Sequence, residues 1–527
     1  MLRTLKAKLA GPRPVTLWPL GVTILIVGAG VLGPLAYLVL RAFEGDWASV
    51  QALVLRPRNL TLLGRTVGLT AAVLALVIAL SLPLAWLTTR TTLAQHRWIT
   101  LVGVLPLAIP SYVLAYTLLA ATGNYGLLTQ AFGLPVPRPS GFTGAWLALS
   151  FYTFPYMFLN LRAALLGLDA SLEESAQTLG YGTWSVFGRV VMPQLRPALA
   201  AGSLIVALHV LGDFGVVSLM RFETFSYAIY LQYSAAFDRV YAAWLALMLI
   251  ALTVAVLVVE AWVLRGVTLH GNKAGHHRAP RPRPLGRWRI PAVGFVGGLA
   301  LLSFVLPVGT LLYWLVRSTP SLANLAEALL GSTSVALPAA LGASLLAMPL
   351  AYYSVRHPSP LTQTTERVAY LGYAMPPLAF ALAMIFLSLL LVPAWYQSIG
   401  ILLIAYIMHY LAEAIGPVRS ALYQAPPRLE EAARTLGHRP FGAFVKVTLP
   451  LLQRGLVVST AFIFLAVMKE LPLTFLLAPA GFQSLALRVW SFSTEALFDR
   501  AAPFALLLLL FSACFVGLLL LTRGDKA

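Results

Sequence analysis

One short polar segment occurs twice in the chain, as Glu173-Glu-Ser-Ala-Gln-Thr-Leu-Gly180 and as Glu430-Glu-Ala-Ala-Arg-Thr-Leu-Gly437. A proline follows each copy at the same offset, Pro193 after the first and Pro450 after the second. Chance explains such agreement poorly. The sequence therefore predicts an internal duplication.

The repeat continues on both sides of these segments. Further matching pairs are Pro83-Leu-Ala-Trp with Arg90 and Pro349-Leu-Ala-Tyr with Arg356, Ala108-Ile-Pro110 and Ala374-Met-Pro376, and Phe237-Asp-Arg and Phe498-Asp-Arg. A basic, proline-rich stretch between the copies suits neither a packed core nor lipid. We predict a first half at 1–265, a cytoplasmic linker at 266–290 and a second half at 291–527. His276 and His277 in the linker lack the carboxylates or cysteines of a metal site.

The solvent for most of the chain must be lipid. Of its 527 residues, 59% are hydrophobic and only 10% are charged, which is too apolar for a soluble domain. A bilayer core needs about 20 apolar residues per helix. The predicted spans are 18–41, 66–89, 98–121, 143–166, 198–220, 241–265, 291–316, 331–354, 367–392, 396–418, 455–478 and 501–522. We therefore predict an all-α polytopic membrane protein of about 12 transmembrane helices in two parallel six-helix repeats.

The basic residues predict the orientation. If the N-terminus is cytoplasmic, most of the 37 lysines and arginines fall in cytoplasmic loops, so the positive-inside rule places both termini in the cytoplasm. The net charge of +19 then reflects topology, and no nucleic-acid partner is expected. The first span has no persuasive cleavage site and is predicted to be an uncleaved anchor. Cys514 is the single cysteine, so no intrachain disulfide can form.

The repeated segments lie in predicted cytoplasmic loops at about 167–197 and about 421–454. In the first, Ser171 and Glu174 predict a capping box, and Gly180 predicts a left-handed end of a short helix.

The second copy is predicted to begin at Pro426-Pro427 and to end at Gly437. In the first copy, Leu172, Ala176 and Leu179 form one small apolar face, which suits docking better than spanning.

These segments resemble the EAA loop of the type I permeases of bacterial ABC importers, in which Glu-Ala-Ala is followed by glycine and later by proline. The resemblance implies a coupling helix that inserts into an ATPase subunit. Two copies imply a fused permease pair served by two cytoplasmic ABC ATPase subunits. The implied ATPase-coupling residues are Glu173, Glu174, Ala176, Gly180, Pro193, Glu430, Glu431, Ala433, Gly437 and Pro450. Ser175 departs from the usual alanine, and ordinary capped turns are the alternative.

The chain carries no motor of its own, because no lysine follows a glycine and a phosphate-binding loop is therefore absent. We expect a permease subunit that is not itself an enzyme. ATP and Mg²⁺ are expected on the partner ATPase, and no cofactor is expected on this chain.

Charged residues within spans are costly and therefore candidates for function. Asp213 and Glu470 occupy matching positions in the predicted spans 5 and 11, and Lys469 precedes Glu470. We predict that they line or gate the translocation pathway. Stabilising pairs with neighbouring helices are the alternative.

Two histidines and two prolines complete the predicted site. His209 lies four residues before Asp213, and His409 lies four before Glu413, so each pair shares a helical face. Hydrogen-bonded pairs between spans are one interpretation of these histidines, and substrate contact is the other. Pro110 and Pro376 are hinge candidates because proline interrupts helical hydrogen bonding.

Within the permease family, the chain is most similar to the fused ferric-iron permeases. The likeness is carried by Gly212-Asp-Phe-Gly, by Arg221-Phe-Glu-Thr-Phe-Ser-Tyr-Ala-Ile-Tyr and by Met468-Lys-Glu-Leu-Pro-Leu-Thr. It implies a bacterial inner-membrane protein that receives Fe³⁺ from a periplasmic substrate-binding protein and passes it inward by alternating access. Fe³⁺ prefers oxygen ligands, but the sequence offers no convincing ligand cluster, so metal ligands are unknown.

Other functions remain open at this stage. Fused thiamine permeases share the same plan, and polyamines, phosphonates and other anions are further substrates to consider. A proton-coupled secondary transporter would use Asp213 and Glu470 in a proton path. A membrane-embedded enzyme has little support, since no catalytic motif is recognised.

Overall fold

The computed structural model describes residues 18–44, 47–236, 238–265 and 282–523. Within these ranges every regular element is a helix, and the one isolated bridge joins Thr91 to Arg283. The predicted all-α class is therefore confirmed.

Membrane-spanning helices dominate the described part of the chain. Eight helices there are long and apolar enough to cross a membrane, and the number rises to ten if each of two bent pairs is one span. Two further predicted spans coincide with helices Gly141–Gly167 and Phe498–Arg523, of 27 and 26 residues. These two helices are not among the eight to ten counted above by length and hydropathy. The polytopic architecture is confirmed, and the count of about twelve stays a prediction.

The chain packs as two compact units, and neither is one continuous half of the sequence. The first unit combines Met1–Arg41 with Gly331–Phe482, and the second combines Ala42–Leu330 with Gln483–Ala527. Each unit thus includes terminal helices from the other predicted half. The predicted boundaries describe the repeat and stay a prediction, because packing groups the helices differently.

The first unit is centred on helices Ile399–Gln424 and Leu449–Met468, which pack along each other. Its described helices are Trp18–Val27, Gly33–Ala42 up to Arg41, Leu322–Arg356 from Gly331 onward, Pro360–Ala374, Pro377–Leu391, Ile399–Gln424, Pro427–Thr435, Pro440–Ala443, Leu449–Met468 and Pro472–Leu477. Gly455 allows a close approach here, since a Cβ in its place would lie 2.6 Å from the Cβ of Ala421. The Ser459 hydroxyl donates to the Ala414 carbonyl at 3.2 Å. Small residues at such crossings are typical of membrane helices.

The second unit is larger and is centred on two long helices that pack along each other. Its described helices are Trp47–Val54, Pro57–Arg90, Arg97–Val102, Ser111–Ala121, Leu127–Phe132, Gly141–Gly167, Ala170–Thr178, Thr183–Val186, Met192–Gly212, Gly215–Leu219, Phe225–Ser234, Arg239–Val263, Arg289–Ala300, Leu306–Arg317, Leu485–Thr494 and Phe498–Arg523. The Ser81 hydroxyl donates to the Phe154 carbonyl at 2.9 Å, and Trp146 Nε1 donates to the Ala72 carbonyl at 2.9 Å. These bonds join Pro57–Arg90 to Gly141–Gly167.

Each π-helical turn in the described part of the chain ends two residues before a proline. The turns are Gly28–Leu32 before Pro34, Phe187–Val191 before Pro193, Leu301–Val305 before Pro307, and Phe444–Thr448 before Pro450. A proline cannot donate to the carbonyl four residues back and clashes with it, and a π turn relieves this by moving the bond one residue further. Met192 N accordingly donates to Phe187 O. Pro193 and Pro450 therefore start the long helix that follows each repeated segment.

Both predicted hinge prolines lie at sharp breaks. The helices on either side of Pro110 meet at 98°, and those on either side of Pro376 meet at 106°. Each proline is the residue before a helix, Ser111–Ala121 or Pro377–Leu391. The break follows from the chemistry of proline, whereas a hinge movement stays a prediction.

Candidate functional site

The first repeated segment forms a helix at Ala170–Thr178, which we call the first loop helix. The predicted capping box at Ser171 is wrong. The helix begins earlier because the carboxylate of Asp169 accepts a hydrogen bond from Ser171 N at 2.9 Å, as an aspartate at the N-cap does. The helix ends as predicted, with Gly180 at a φ of 86°.

The second repeated segment forms the second loop helix, Pro427–Thr435. It begins directly after Pro426, and Gly437 follows it at a φ of 91°. The two copies of the repeat thus share length and ending, as the sequence predicts.

The first glutamate of the first loop helix turns inward to arginine. Glu173 Oε1 lies 2.9 Å from Arg90 Nη2, and Oε2 lies 3.4 Å from Arg283 Nη2. The side chains of Arg90 and Glu173 are only 1% and 6% exposed. A charge this deeply buried requires a partner, so Glu173 fastens the loop helix to the end of helix Pro57–Arg90.

Glu430 occupies the same position in the second loop helix but binds neutral groups. Tyr352 Oη donates to its Oε1 at 2.6 Å, and Thr448 Oγ1 donates to its Oε2 at 3.0 Å. Arg356, which matches Arg90 in the repeat, donates instead to the Ala425 carbonyl at 2.6 Å. We call Glu173 and Glu430 the anchors of their loop helices. They occupy the same position in the two copies of the repeat, but the groups that they bind differ.

The second glutamate of each pair faces outward. Glu174 and Glu431 are exposed. Ala176 and Ala433, each two residues later, are buried against their own units. The eight residues called coupling residues within the two segments therefore divide into an inner and an outer set. Their role in coupling stays a prediction.

Large apolar side chains are exposed on the outer face of each loop helix and at the residue directly after it. The single apolar face predicted for Leu172, Ala176 and Leu179 is wrong, because Ala176 is buried. Leu179 is 77% exposed and Leu436, its repeat equivalent, is 83% exposed; Leu172 and Leu429 are also exposed. Burying a leucine contributes about 1.5–3 kcal/mol, so these faces gain stability when a partner covers them.

Asp213 lies at a break in the backbone. Helix Met192–Gly212 ends just before it, and its Oδ1 accepts a hydrogen bond from Val216 N at 2.8 Å. Ser111, the residue after Pro110, also hydrogen-bonds to this carboxylate. The prediction of an unbroken span at 198–220 is wrong, because the carboxylate caps the short helix Gly215–Leu219 instead.

Glu470 repeats this arrangement. Helix Leu449–Met468 ends before Lys469, and the two carboxylate oxygens of Glu470 accept from Leu473 N and Thr474 N, each at 3.0 Å. The span predicted at 455–478 is likewise interrupted. Both carboxylates hold short helices in place, which accords with a structural role; a pathway role stays a prediction.

A further carboxylate, that of Glu413, lies near the ammonium group of Lys469 and hydrogen-bonds to Tyr373. The nearby Tyr406 hydroxyl bonds to the Thr474 hydroxyl at 2.5 Å. These groups make the interior of the first unit polar close to the break at Glu470.

The two histidines sit among aromatic rings. His209 Nδ1 lies 2.8 Å from the carbonyl of Ile205 on its own helix, and its ring centroid is 4.4 Å from that of Tyr156. His409 is buried, with the rings of Phe380 and Tyr410 at 5.5 and 5.0 Å. These contacts are those of packed helix interiors, and substrate contact stays a prediction.

No cluster of three or more His, Cys, Asp or Glu side chains suited to a metal ion occurs among the described residues. The metal ligands, if any, stay unknown.

The sequence alone did not predict the residues that bind Glu173 and Glu430 and so hold the two loop helices in place. Arg90 and Tyr352 both belong to matching flanks of the repeat, which was a signal that they serve the repeated segment. Thr448 and Arg283 carried no such signal, because a threonine in a π turn and one arginine among many in a linker are unremarkable in sequence.

The amino-acid sequence is similar to those of known transport proteins, and this similarity identifies the protein family. The chain matches the family described as binding-protein-dependent transport system inner membrane component over residues 82–269 and again over 339–524. It is similar to the Fe(3+)-transport system permease protein FbpB 2 of Haemophilus influenzae, with 32% identity over 96% of this chain and 99% of that protein.

Shorter permeases match one part of the chain. The molybdenum transport system permease protein ModB of Escherichia coli is 32% identical over 38% of this chain and 93% of its own length. The sulfate transport system permease protein CysT of Escherichia coli is 30% identical over 38% of this chain and 72% of its own length. With two matches in one polypeptide and its many apolar helices, the chain belongs to the binding-protein-dependent inner membrane component family, as a fused, multi-pass type I ABC importer permease of the inner membrane.

Proposed function

We propose that this permease passes ferric iron from a periplasmic substrate-binding protein to the cytoplasm. The observation that carries the proposal is the similarity to a Fe(3+)-transport permease along 96% of the chain. A match of this extent covers both halves and the linker. Fe³⁺ is here the transported substrate, and its selection would rest largely with the binding protein.

Two cytoplasmic ABC ATPase subunits would drive the cycle, one on each loop helix. The exposed leucines Leu179 and Leu436 provide the apolar docking surface, and Glu174 and Glu431 provide outward charge beside it. Glu173 and Glu430 would act indirectly, by holding the helices that carry this surface.

ATP and Mg²⁺ would bind the ATPase subunits, and this chain would need no cofactor of its own. Both termini would lie in the cytoplasm, as the positive-inside rule predicts. The membership in an importer family favours this ATP-driven scheme over a proton-coupled carrier.

The translocation pathway would pass the two backbone breaks. Asp213 and Glu470 end long helices at matching positions, and Pro110 and Pro376 bend others by 98° and 106°. Breaks of this kind are tolerated in membranes where they line a cavity or are covered by protein. Alternating access would move the helices on either side of such breaks.

Uptake by the complete complex tests the substrate. The permease, its ATPase and its binding protein would be reconstituted in proteoliposomes, with ATP on the ATPase side and radiolabelled ferric iron on the other. We expect iron uptake that requires both ATP and the binding protein. Uptake that persists without ATP and stops with an uncoupler would contradict the importer scheme and favour the proton-coupled carrier.

An oxyanion is the second candidate, because the molybdenum and sulfate permeases match part of the chain at nearly the same identity. Molybdate and sulfate would be run in the same assay, each as a labelled substrate, together with thiamine as a substrate that is not an oxyanion. ATP-driven uptake of one of these in place of iron would move the proposal to that substrate.

A further inference from the structure

Arg283, in the described part of the predicted linker (282–290), is bonded through its backbone to the end of helix Pro57–Arg90. Arg283 N donates to the Arg90 carbonyl at 2.9 Å, and Thr92 N donates to the Arg283 carbonyl at 3.1 Å. These two bonds form the isolated bridge between Thr91 and Arg283. The backbone of Arg283 is thus fixed beside the end of helix Pro57–Arg90.

The side chain of Arg283 extends this contact to the loop helix. Its Nη2 lies 3.4 Å from Glu173 Oε2, while Glu173 Oε1 faces Arg90. Each oxygen of one carboxylate therefore faces its own guanidinium group. Two contacts define the orientation of a carboxylate better than one, because Arg guanidinium and carboxylate groups are both planar.

Glu173 lies on the face of the first loop helix that packs against its unit. Ala176 lies three residues later and is buried with it, so the same face packs against the unit, while Leu172 and Leu179 remain exposed. A small rotation of this helix would move the apolar outer face, which is what an ATPase would contact.

We propose that Arg283 is a positioning residue for ATPase docking, which helps to orient the first loop helix through its contact with Glu173. The inference rests on the proposed function, since it takes the loop helix to be the docking element. The second loop helix is held by Tyr352 and Thr448 of its own unit, so Arg283 would act on one docking site and not on the other.

Three substitutions at this position form a graded series. Arg283→Lys keeps the charge, and Arg283→Ala removes the side chain but keeps both backbone bonds. Arg283→Pro also removes the N–H that donates to Arg90 O. Arg287→Ala is the matched control, because it removes an equally basic, exposed side chain four residues further along.

The first readout is the number of ATP molecules hydrolysed per substrate taken up by the reconstituted complex. We expect Arg283→Ala to raise this ratio about two- to fivefold, the size of effect that a partly exposed ion pair supports. Arg283→Pro should raise it further, while Arg283→Lys and Arg287→Ala should stay near the unmodified protein. A merely structural loss would lower uptake and hydrolysis together and leave the ratio unchanged.

The second readout tests the contact without any ATPase. Thermal unfolding in detergent would be compared for Arg283→Ala, Glu173→Gln and the double variant. If the two side chains interact, the double variant should lose less than the sum of the two single shifts.

The outcomes separate the inference from the function on which it rests. If the unmodified complex shows no ATP-driven uptake, the proposed function fails, and the docking role of Arg283 fails with it. If uptake is ATP-driven but Arg283→Ala and Arg283→Pro give the same ratio as Arg287→Ala, the proposed function stands and this inference is overturned. Additive shifts in thermal unfolding would also contradict it.

Discussion

The two loop helices have the same length, the same glycine ending and the same inward glutamate, yet they are fastened by different chemistry. Glu173 faces two arginines, one of them almost fully buried, whereas Glu430 accepts hydrogen bonds from a tyrosine and a threonine. The two copies of the repeat thus retain the position of the glutamate that holds the helix, but the side chains that bind this glutamate have diverged. The outward residues Leu172, Glu174 and Leu179 are matched by the same residue types at Leu429, Glu431 and Leu436, which accords with the proposed docking of two like subunits.

The largest expected effect is on the charged anchor. Glu173→Gln should lower the free energy of unfolding by about 3–5 kcal/mol, because it leaves the buried Arg90 without its counter-charge. Chemical unfolding in detergent would measure it. Glu174→Gln is the control, since this exposed neighbour should change stability by no more than about 0.5 kcal/mol. Equal losses from the two substitutions would contradict the inward anchor.

The outer faces come next in magnitude. Leu179→Asp and Leu436→Asp should each weaken ATPase binding tenfold or more, because a buried leucine contributes about 1.5–3 kcal/mol and a buried charge opposes docking. Retention of the ATPase on the purified permease would measure this. Leu322→Asp, at an exposed leucine outside both loops, should retain the ATPase. Unchanged retention in the loop variants would show that docking occurs elsewhere.

The neutral anchor should respond more weakly than the charged one. Glu430→Gln should cost only about 0.5–1.5 kcal/mol, because the amide oxygen can still accept from Tyr352 and no buried arginine loses its counter-charge. The same unfolding assay applies, with Glu431→Gln as the control. A loss as large as that of Glu173→Gln would remove the distinction between the two anchors.

The smallest expected effect concerns salt. About 1 M salt should abolish most of the stability loss caused by Arg283→Ala, which involves a side chain that is 32% exposed and screened like other partly exposed charges. The loss caused by Glu173→Gln should persist, because its pair with Arg90 is buried. Thermal unfolding at low and high salt would compare them, and identical salt dependence would argue against separate roles for the two arginines.

Local features of the sequence predicted much of this fold. The repeated segments predicted the two loop helices. Gly180 and Gly437 predicted where these helices end, because glycine readily adopts the left-handed conformation found there. Proline chemistry gave the breaks at Pro110 and Pro376. Each of these depends on residues that are near one another in the chain, which is why a single sequence was sufficient.

Features that depend on distant residues could not be predicted in the same way. The grouping of the N-terminal helix with residues 331–482, and the contact of Arg283 with Glu173, arise from packing between separate parts of the chain. The breaks at Asp213 and Glu470 were hidden because both lie in apolar stretches long enough to span. Their carboxylates bond to nearby backbone N–H groups and so end the long helices early.

Counting the ATPase subunits bound to each permease chain, by native mass spectrometry, tests the central claim most directly. The account predicts two subunits on the unmodified protein, one on Leu179→Asp or Leu436→Asp alone, and none on the double variant. Two subunits retained by the double variant, or none bound to the unmodified protein, would contradict docking through the two loop helices.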